Sequence, residues 1–208
     1  MPPKVNQEHK NQRRSKILKA AEAVFIENGY EKTTMKDVMD KSDVSRGGLY
    51  QYFANKEDLF EALISEDATE NIDSSLEDMV KQKGSYWDIL LVTFLGEEKK
   101  PTNKMDPLAP SKLEFFITRR NETKRKDHAK QRYLQFYQMI NKIIEAGVKA
   151  GEFSPRFDIG VISKSIISYT DGLALDHAIL DSESIQLKEQ TELLFEYIRW
   201  ALHVKESK

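Results

Sequence analysis

The sequence contains no cysteine among its 208 residues. Disulfides and thiol catalysis are therefore excluded, and the composition fits a reducing compartment. No apolar run approaches the roughly 20 residues that a membrane-spanning helix needs, and the polar N-terminus does not resemble a secretion signal. We therefore expect a cytoplasmic protein that makes no contact with a membrane.

Motifs of catalysis and metal binding are also missing. The four histidines are scattered along the chain: His9, His128, His177 and His203. No zinc-protease, P-loop or nucleophile-elbow pattern occurs. Asp171, Asp176 and His177 come nearest to a metal cluster, but sequence neighbours on a helix point in different directions, and polar packing between helices explains these residues better. We predict no metal and no cofactor, and an enzyme on a helical scaffold remains only a remote alternative.

Charge is nearly balanced overall, with a formal net charge of -2, which by itself does not indicate a nucleic-acid partner. The first twenty residues nevertheless carry six basic side chains against one acidic one. Such an arm either reaches DNA phosphates or is a solvated tail. A second basic cluster runs from Arg119 to Arg132, and it either attracts an anionic partner or forms a solvated helix junction.

The stretch from 33 to 56 has the spacing of two short helices joined by a tight turn. Apolar residues recur at helical intervals on both sides of the turn: Met35, Val38 and Met39, then Leu49 and Phe53. Thr34 is predicted to cap the first helix, with Asp37 completing a capping box, and Ser45 is predicted to cap the second. This layout is a helix-turn-helix.

Two adjacent glycines, Gly47 and Gly48, open the second helix, where each costs about 1 kcal/mol relative to alanine. Glycine is needed at these positions, despite the loss of stability, if this turn must approach another backbone closely, as a recognition helix does in a major groove. A weak first turn of an ordinary bundle helix is the alternative. The neighbouring residues favour the DNA-binding interpretation, because the same stretch contains side chains that bond phosphates or base edges: Arg46, Tyr50, Tyr52 and Lys56.

The pattern TTMKDV…DVSRGGLYQYFANKEDLF closely resembles the DNA-binding domain of the TetR family of bacterial transcriptional regulators, as does the preceding helix with its Gly29-Tyr30 ending. The resemblance covers about Ile17 to Leu63. One position departs from the family pattern, since Asp43 stands where the turn usually has glycine. Aspartate tolerates the left-handed conformation better than most residues, so we expect a modest cost in stability and an intact turn.

The resemblance implies a homodimer whose two recognition helices lie about 34 to 36 Å apart and read a palindromic operator in double-stranded DNA. It also implies a set of DNA-contacting residues: Thr33, Thr34, Ser45, Arg46, Gly47, Gly48, Tyr50, Gln51, Tyr52 and Lys56. Among these, we expect Thr33, Thr34 and Lys56 to hold the DNA backbone. We place the DNA-binding domain and its basic arm at 1–56, and a helical effector-binding and dimerisation domain at 57–208.

The rest of the chain shows only helical periodicity, so the predicted fold is all-α, with an N-terminal three-helix DNA-binding domain. A helix that starts at Lys56 is expected to continue toward Lys81 as a connector. Aromatic residues of the larger domain either form core or line the small-molecule pocket that the resemblance implies. The candidates for a pocket are Trp87, Phe94, Phe116, Tyr137, Tyr169 and Asp171.

The final helix is apolar on two sides. One side carries Leu187, Leu194, Phe195, Ile198 and Leu202, and the other carries Leu193, Tyr197, Trp200, Ala201 and Val204. A helix that is apolar on two sides must bury both, either within its own domain or with one of them against a partner. The resemblance implies that the last two helices form the dimer interface, for which we name Ile166, Leu173, Leu194, Tyr197, Ile198, Trp200 and Ala201.

The predicted function is therefore a DNA-binding regulator, most simply a repressor that a small-molecule effector releases from its operator. An activator or a regulator without a ligand is the alternative.

Overall fold

The computed structural model describes residues 7–69 and 76–205, and every regular element in these two ranges is an α-helix. The helices are α1 Gln7–Lys32, α2 Met35–Ser42, α3 Arg46–Tyr50, α4 Lys56–Thr69, α5 Leu76–Lys83, α6 Tyr86–Leu95, α7 Ala109–Thr118, α8 Thr123–Lys149, α9 Ile159–Ile179 and α10 Leu187–Leu202. The all-α prediction is confirmed. None of these helices is long and apolar enough to cross a membrane.

The chain divides into two compact units, and neither is continuous in sequence. Helices α1 to α4 and α7 form the first unit, whereas α5, α6 and α8 to α10 form the second. The predicted division after residue 56 falls inside the first unit, because Leu59, Phe60 and Leu63 of α4 belong to its core. The predicted connector helix crosses residues 70–75, which lie outside the described residues.

Helix α1 spans Gln7–Lys32, so most of the basic stretch within the first twenty residues is helical. The basic residues from Lys10 to Lys19 consequently project from helical turns. Regular helical geometry is interrupted at Gly29, which has φ 78° and ψ 168°. Glycine adopts this backbone without a Cβ penalty, and a Cβ here would lie 2.9 Å from the carboxylate oxygens of Glu114.

The core of the first unit is built on four aromatic rings from α1, α4 and α7. The Phe60 ring contacts Phe25, Tyr30 and Phe115 with centroid separations of 4.6, 4.9 and 4.9 Å. Helix α7 is tied to α1 by the buried Ser111 hydroxyl, which donates to the Phe25 carbonyl at 2.6 Å. The support for α2 and α3 therefore includes a helix from far along the chain.

The second unit has its own apolar core, to which α6, α8, α9 and α10 all contribute. The turn after α8 closes against this core. Its Glu152 carboxylate accepts hydrogen bonds from the backbone amides of Tyr86 and Trp87, at 2.9 and 2.8 Å. These amides are in the first turn of α6 and have no partner within the helix, so the carboxylate stabilises the positive end of that helix.

Candidate nucleic-acid interface

Helix α2 begins with the predicted capping box. The Thr34 hydroxyl oxygen accepts from the Asp37 amide at 3.3 Å, and the Asp37 carboxylate accepts from the Thr34 amide at 2.8 Å. Hydrogen bonds from the Thr34 side chain and backbone lower the pKa of the Asp37 carboxyl below its ordinary value of 3.8. The prediction for this helix start is confirmed.

The turn after α2 depends on Asp43, which adopts the left-handed conformation at φ 52° and ψ 45°. Its amide donates to the Met39 carbonyl and closes the helix. The prediction that aspartate would serve in place of glycine is confirmed. Val44 follows with its side chain buried, and Ser45 then caps α3 by accepting from the Gly48 amide at 3.2 Å.

Helix α3 is short, and one buried side chain anchors it. Leu49 is fully buried in the first unit, and Tyr52 is half-buried against the same core. The opposite side of the helix is exposed and carries Arg46, Gly47, Tyr50 and, just past its end, Gln51. The Arg46 guanidinium lies over the Tyr50 ring, 5.6 Å from its centroid. A planar cation and a phenol hydroxyl thus lie side by side on an open surface.

The two glycines of α3 have different surroundings. A Cβ at Gly47 would meet no atom within 4 Å, so this position is bare toward solvent. A Cβ at Gly48 would lie 2.5 Å from Nη2 of Arg13, 2.9 Å from Cγ1 of Val44 and 3.2 Å from Oγ of Ser45. Packing within the chain therefore accounts for glycine at position 48, whereas no described residue lies close enough to account for glycine at position 47.

Thr33 does not have the surroundings of a DNA contact. Its side chain is 1% exposed, and its hydroxyl donates to the Gly29 carbonyl at 2.7 Å. The predicted role in holding the DNA backbone is wrong for this side chain, because a buried and hydrogen-bonded hydroxyl cannot reach a phosphate. Thr33 instead ties the segment before α2 to the interrupted end of α1.

Lys56 is also engaged within the protein. Its ammonium donates to the Tyr30 and Glu31 carbonyls at 2.7 and 2.9 Å, and lies 4.5 Å from the centroid of the Tyr30 ring. Carbonyls at the end of a helix are the partners that a cation prefers there. In the observed conformation the ammonium is held by these two carbonyls, and its contact with phosphate stays a prediction.

A groove with a volume of about 510 Å³ lies between the start of α1 and the segment around α3. Its lining combines basic and polar side chains: His9, Lys10, Gln12, Arg13, Lys16, Asp43, Val44, Gln51 and Tyr52. The α1 residues were not among the predicted site residues. The recurrence of His9, Arg13 and Lys16 at intervals of four and three residues was the sequence signal, since it places them on one helical face.

The six predicted pocket residues are distributed over the two units. Phe116 packs against the core of the first unit, whereas the Trp87 and Phe94 rings lie in the core of the second, each about 6.1 Å from the Phe195 centroid. Tyr137 and Tyr169 are half-buried against that second core. Helix α7, which carries Phe116, folds with the first unit, and the role of these residues in a pocket stays a prediction.

Asp171 has no metal-ligating neighbours, since no three side chains of His, Asp or Glu approach one another as a metal site within the described residues. Burial raises the pKa of its carboxyl, and the positive charge of Arg132 partly opposes that rise. The nearby His177 ring bonds instead to Ser182, with 3.1 Å between Nε2 and Oγ.

The predicted dimer residues separate into two groups. Ile166, Leu173, Leu194 and Ile198 are no more than 5% exposed, so they form core of their own chain and the prediction is wrong for them. Tyr197 and Trp200 are 55% and 57% exposed, and Ala201 is half-buried. Further apolar side chains of α9 and α10 are exposed as well: Val161, Leu175, Ile179 and Leu193.

Comparison with known proteins gives two family models that match different parts of the chain. The model described as "Bacterial regulatory proteins, tetR family" matches residues 17–63, and the model described as "Tetracyclin repressor-like, C-terminal domain" matches residues 90–188. The first match contains the capping box, the turn and α3. The second covers most of α6 and all of α7, α8 and α9.

Relatives and solved structures agree with these matches. The uncharacterised HTH-type transcriptional regulator YfiR of Bacillus subtilis is 31% identical over 210 residues, which is 99% of this chain and 100% of that protein. The HTH-type transcriptional regulator QacR of Staphylococcus aureus is 26% identical over 186 residues, with coverage of 88% and 95%. The structure of GusR from Salmonella enterica has a TM-score of 0.66 at 20% identity, with coverage of 97% and 100%, and shows the same fold.

Regulators of this family bind DNA and small-molecule effectors and act as dimers. Because a relative of full length exceeds 30% identity and both family models match, the chain belongs to the TetR family and is a DNA-binding transcriptional regulator, not an enzyme.

Proposed function

We propose that the exposed side of α3 reads the operator, with Arg46, Tyr50 and Gln51 contacting bases or phosphates. The main support for this proposal is the absence of a side chain on the exposed surface at Gly47. A helix that lacks a side chain at its first turn allows the DNA backbone or a base edge to approach closely, and nothing in the chain itself uses that space. Ser45 and Thr34 cap the two helices and present exposed hydroxyls beside this surface.

The active form is proposed to be a homodimer that binds a palindrome. Support comes from the exposed apolar side chains of α9 and α10, in particular Ile179 at 72%, Trp200 at 57% and Val161 at 56%. Large apolar side chains that are exposed along these two helices are available to a partner surface. A two-fold pair of α3 helices, about 34 Å apart, would contact successive major grooves on one side of the duplex.

Regulation is proposed to be repression that a small-molecule effector relieves. An effector releases DNA only to the extent that it binds the DNA-incompetent state more tightly. Tyr137, Tyr169 and Asp171 are the proposed polar contacts, since each lies at or near the surface of the second unit. A regulator that needs no effector is the second candidate, favoured by the edge-on contacts of Phe94 with both Phe136 and Phe195, which fill that part of the core.

Selection of bound sequences from a random duplex pool tests the operator proposal. A palindromic consensus is expected. The Arg46→Ala variant should lose more affinity for the selected duplex than for a mixed-sequence duplex. Recovery of no consensus, with or without a library of metabolites added, would count against the proposed site.

Sedimentation velocity tests the dimer. Trp200→Glu places a charge on the exposed apolar face, and we expect monomers at concentrations where the parent protein is dimeric. Ile26→Glu is the matched control, because Ile26 is 41% exposed on α1, in the other unit. Equal association of all three proteins would exclude this face as the interface.

A further inference from the structure

Arg13 lies against the recognition helix. Its Nη2 atom occupies space 2.5 Å from the position that a Cβ on Gly48 would take. Arg13 is itself exposed, on the second turn of α1, so its guanidinium extends over the surface without being buried by it. The contact therefore joins a solvent-facing cation to the backbone of the proposed DNA-reading helix.

The same side chain belongs to a basic face. His9, Arg13 and Lys16 lie on one side of α1 and line the groove whose opposite wall includes Gln51 and Tyr52. One carboxylate, that of Asp43, also belongs to the lining of the groove. Cationic and amide side chains around an open groove of about 510 Å³ suit a polyanionic backbone better than an apolar ligand.

We propose that Arg13 is a DNA-backbone contact, and that Gly48, which also packs closely against Val44 and Ser45, leaves room for the Arg13 guanidinium. This inference rests on the proposed function, in which α3 contacts the operator. It assigns separate causes to the two glycines. Gly47 leaves room for the DNA, whereas Gly48 leaves room for the arginine that binds the adjacent phosphate. A guanidinium suits this role because its planar donors bind phosphate oxygens in pairs.

The first test compares Arg13→Ala with Lys19→Ala. Both variants remove one exposed positive charge from α1, but Lys19 does not line the groove. Arg13→Ala should weaken binding by about tenfold or more on the selected operator and on a mixed-sequence duplex alike, and should reduce the salt slope by about one. Lys19→Ala should change neither quantity appreciably. Unchanged binding by Arg13→Ala, or a loss confined to the operator with an unchanged slope, would overturn the backbone contact.

The second test is a double-mutant cycle. Gly48→Ala displaces the Arg13 guanidinium and also meets Val44 and Ser45. In an Arg13→Ala background only the second part of this cost remains, so the loss of affinity should be smaller there than in the parent protein. Gly47→Ala adds the same methyl group to the same helix without meeting Arg13, and its effect should be additive with that of Arg13→Ala. Additive effects in both cycles would refute the proposed dependence of Arg13 on Gly48.

These results also separate the inference from the function on which it rests. If Arg46→Ala and Gly47→Ala weaken operator binding while Arg13→Ala does not, α3 reads DNA and only the inference fails. If none of the three variants changes binding, the proposed interface itself is wrong. The Arg13 side chain is exposed, so its truncation should leave the fold intact, and thermal unfolding of each variant checks this.

Discussion

The Lys56→Ala variant distinguishes two roles for this lysine. In one role it stabilises the first unit, and in the other it contacts a DNA phosphate. Its ammonium bonds two carbonyls at the end of α1, at 2.7 and 2.9 Å, and lies over the Tyr30 ring. Hydrogen bonds from charged donors contribute about 1.5 to 3 kcal/mol in buried settings, but this site is only partly buried and water can replace the lost donors. We therefore expect the variant to lose about 1 to 2 kcal/mol of unfolding free energy.

For a chain of this size, that loss corresponds to a decrease in melting temperature of about 2 to 8 °C. Calorimetry or circular dichroism would measure it, with Lys19→Ala as the control for removal of an exposed lysine. Operator titrations at several salt concentrations are then carried out at a temperature well below the melting temperature. The dependence of operator affinity on salt concentration should have the same slope as in the parent protein. A phosphate contact would instead lower the slope by about 0.9. A normal melting temperature combined with a reduced slope would refute the structural role.

Three further predictions follow from the contacts described above. Thr33→Val keeps the buried shape but removes the hydroxyl that bonds the Gly29 carbonyl, so unfolding free energy should fall by about 1 kcal/mol while operator affinity stays parental in a binding assay. Glu152→Ala leaves the first amides of α6 uncapped and should lower the melting temperature, whereas Glu192→Ala, on the exposed side of α10, should not. The pKa of the Asp37 carboxyl is lower in the folded protein than its ordinary value, so its charge stabilises the fold above pH 3.8. This contribution disappears as the pH falls through the pKa of the folded state. Asp37→Asn should therefore flatten the acid side of the curve of unfolding free energy against pH.

Local features of the DNA-binding region could be predicted because each depends on a few adjacent residues. The capping box of Thr34 and Asp37 and the left-handed turn at Asp43 involve only hydrogen bonds and backbone angles within four residues. The two faces of α10 could also be predicted from spacing alone. Leu194 and Ile198 are buried, while Leu193, Tyr197 and Trp200 are about half exposed.

Contacts with residues distant in sequence were not predicted. Thr33 and Lys56 carry groups that bind phosphate, but their partners here are carbonyls near the end of α1. Phe116 has an aromatic side chain suited to a pocket, but α7 packs with α1 in the other unit. The identity of a residue gives the chemistry of its side chain. It does not say which group, tens of residues away in the sequence, will be its hydrogen-bond or packing partner.

The sequence by itself determined the helical class and the capped helix-turn-helix, which follow from periodicity and short-range residue spacing, and the resemblance of its motif indicated the family. Only the tertiary structure decided that α4 and α7 complete the first unit, that Gly48 packs beneath Arg13 while Gly47 stays bare, and that Lys56 bonds backbone carbonyls. The physical reason is that burial and hydrogen bonding between distant segments depend on how helices pack. One sequence pattern is compatible with several packings until the core is assembled.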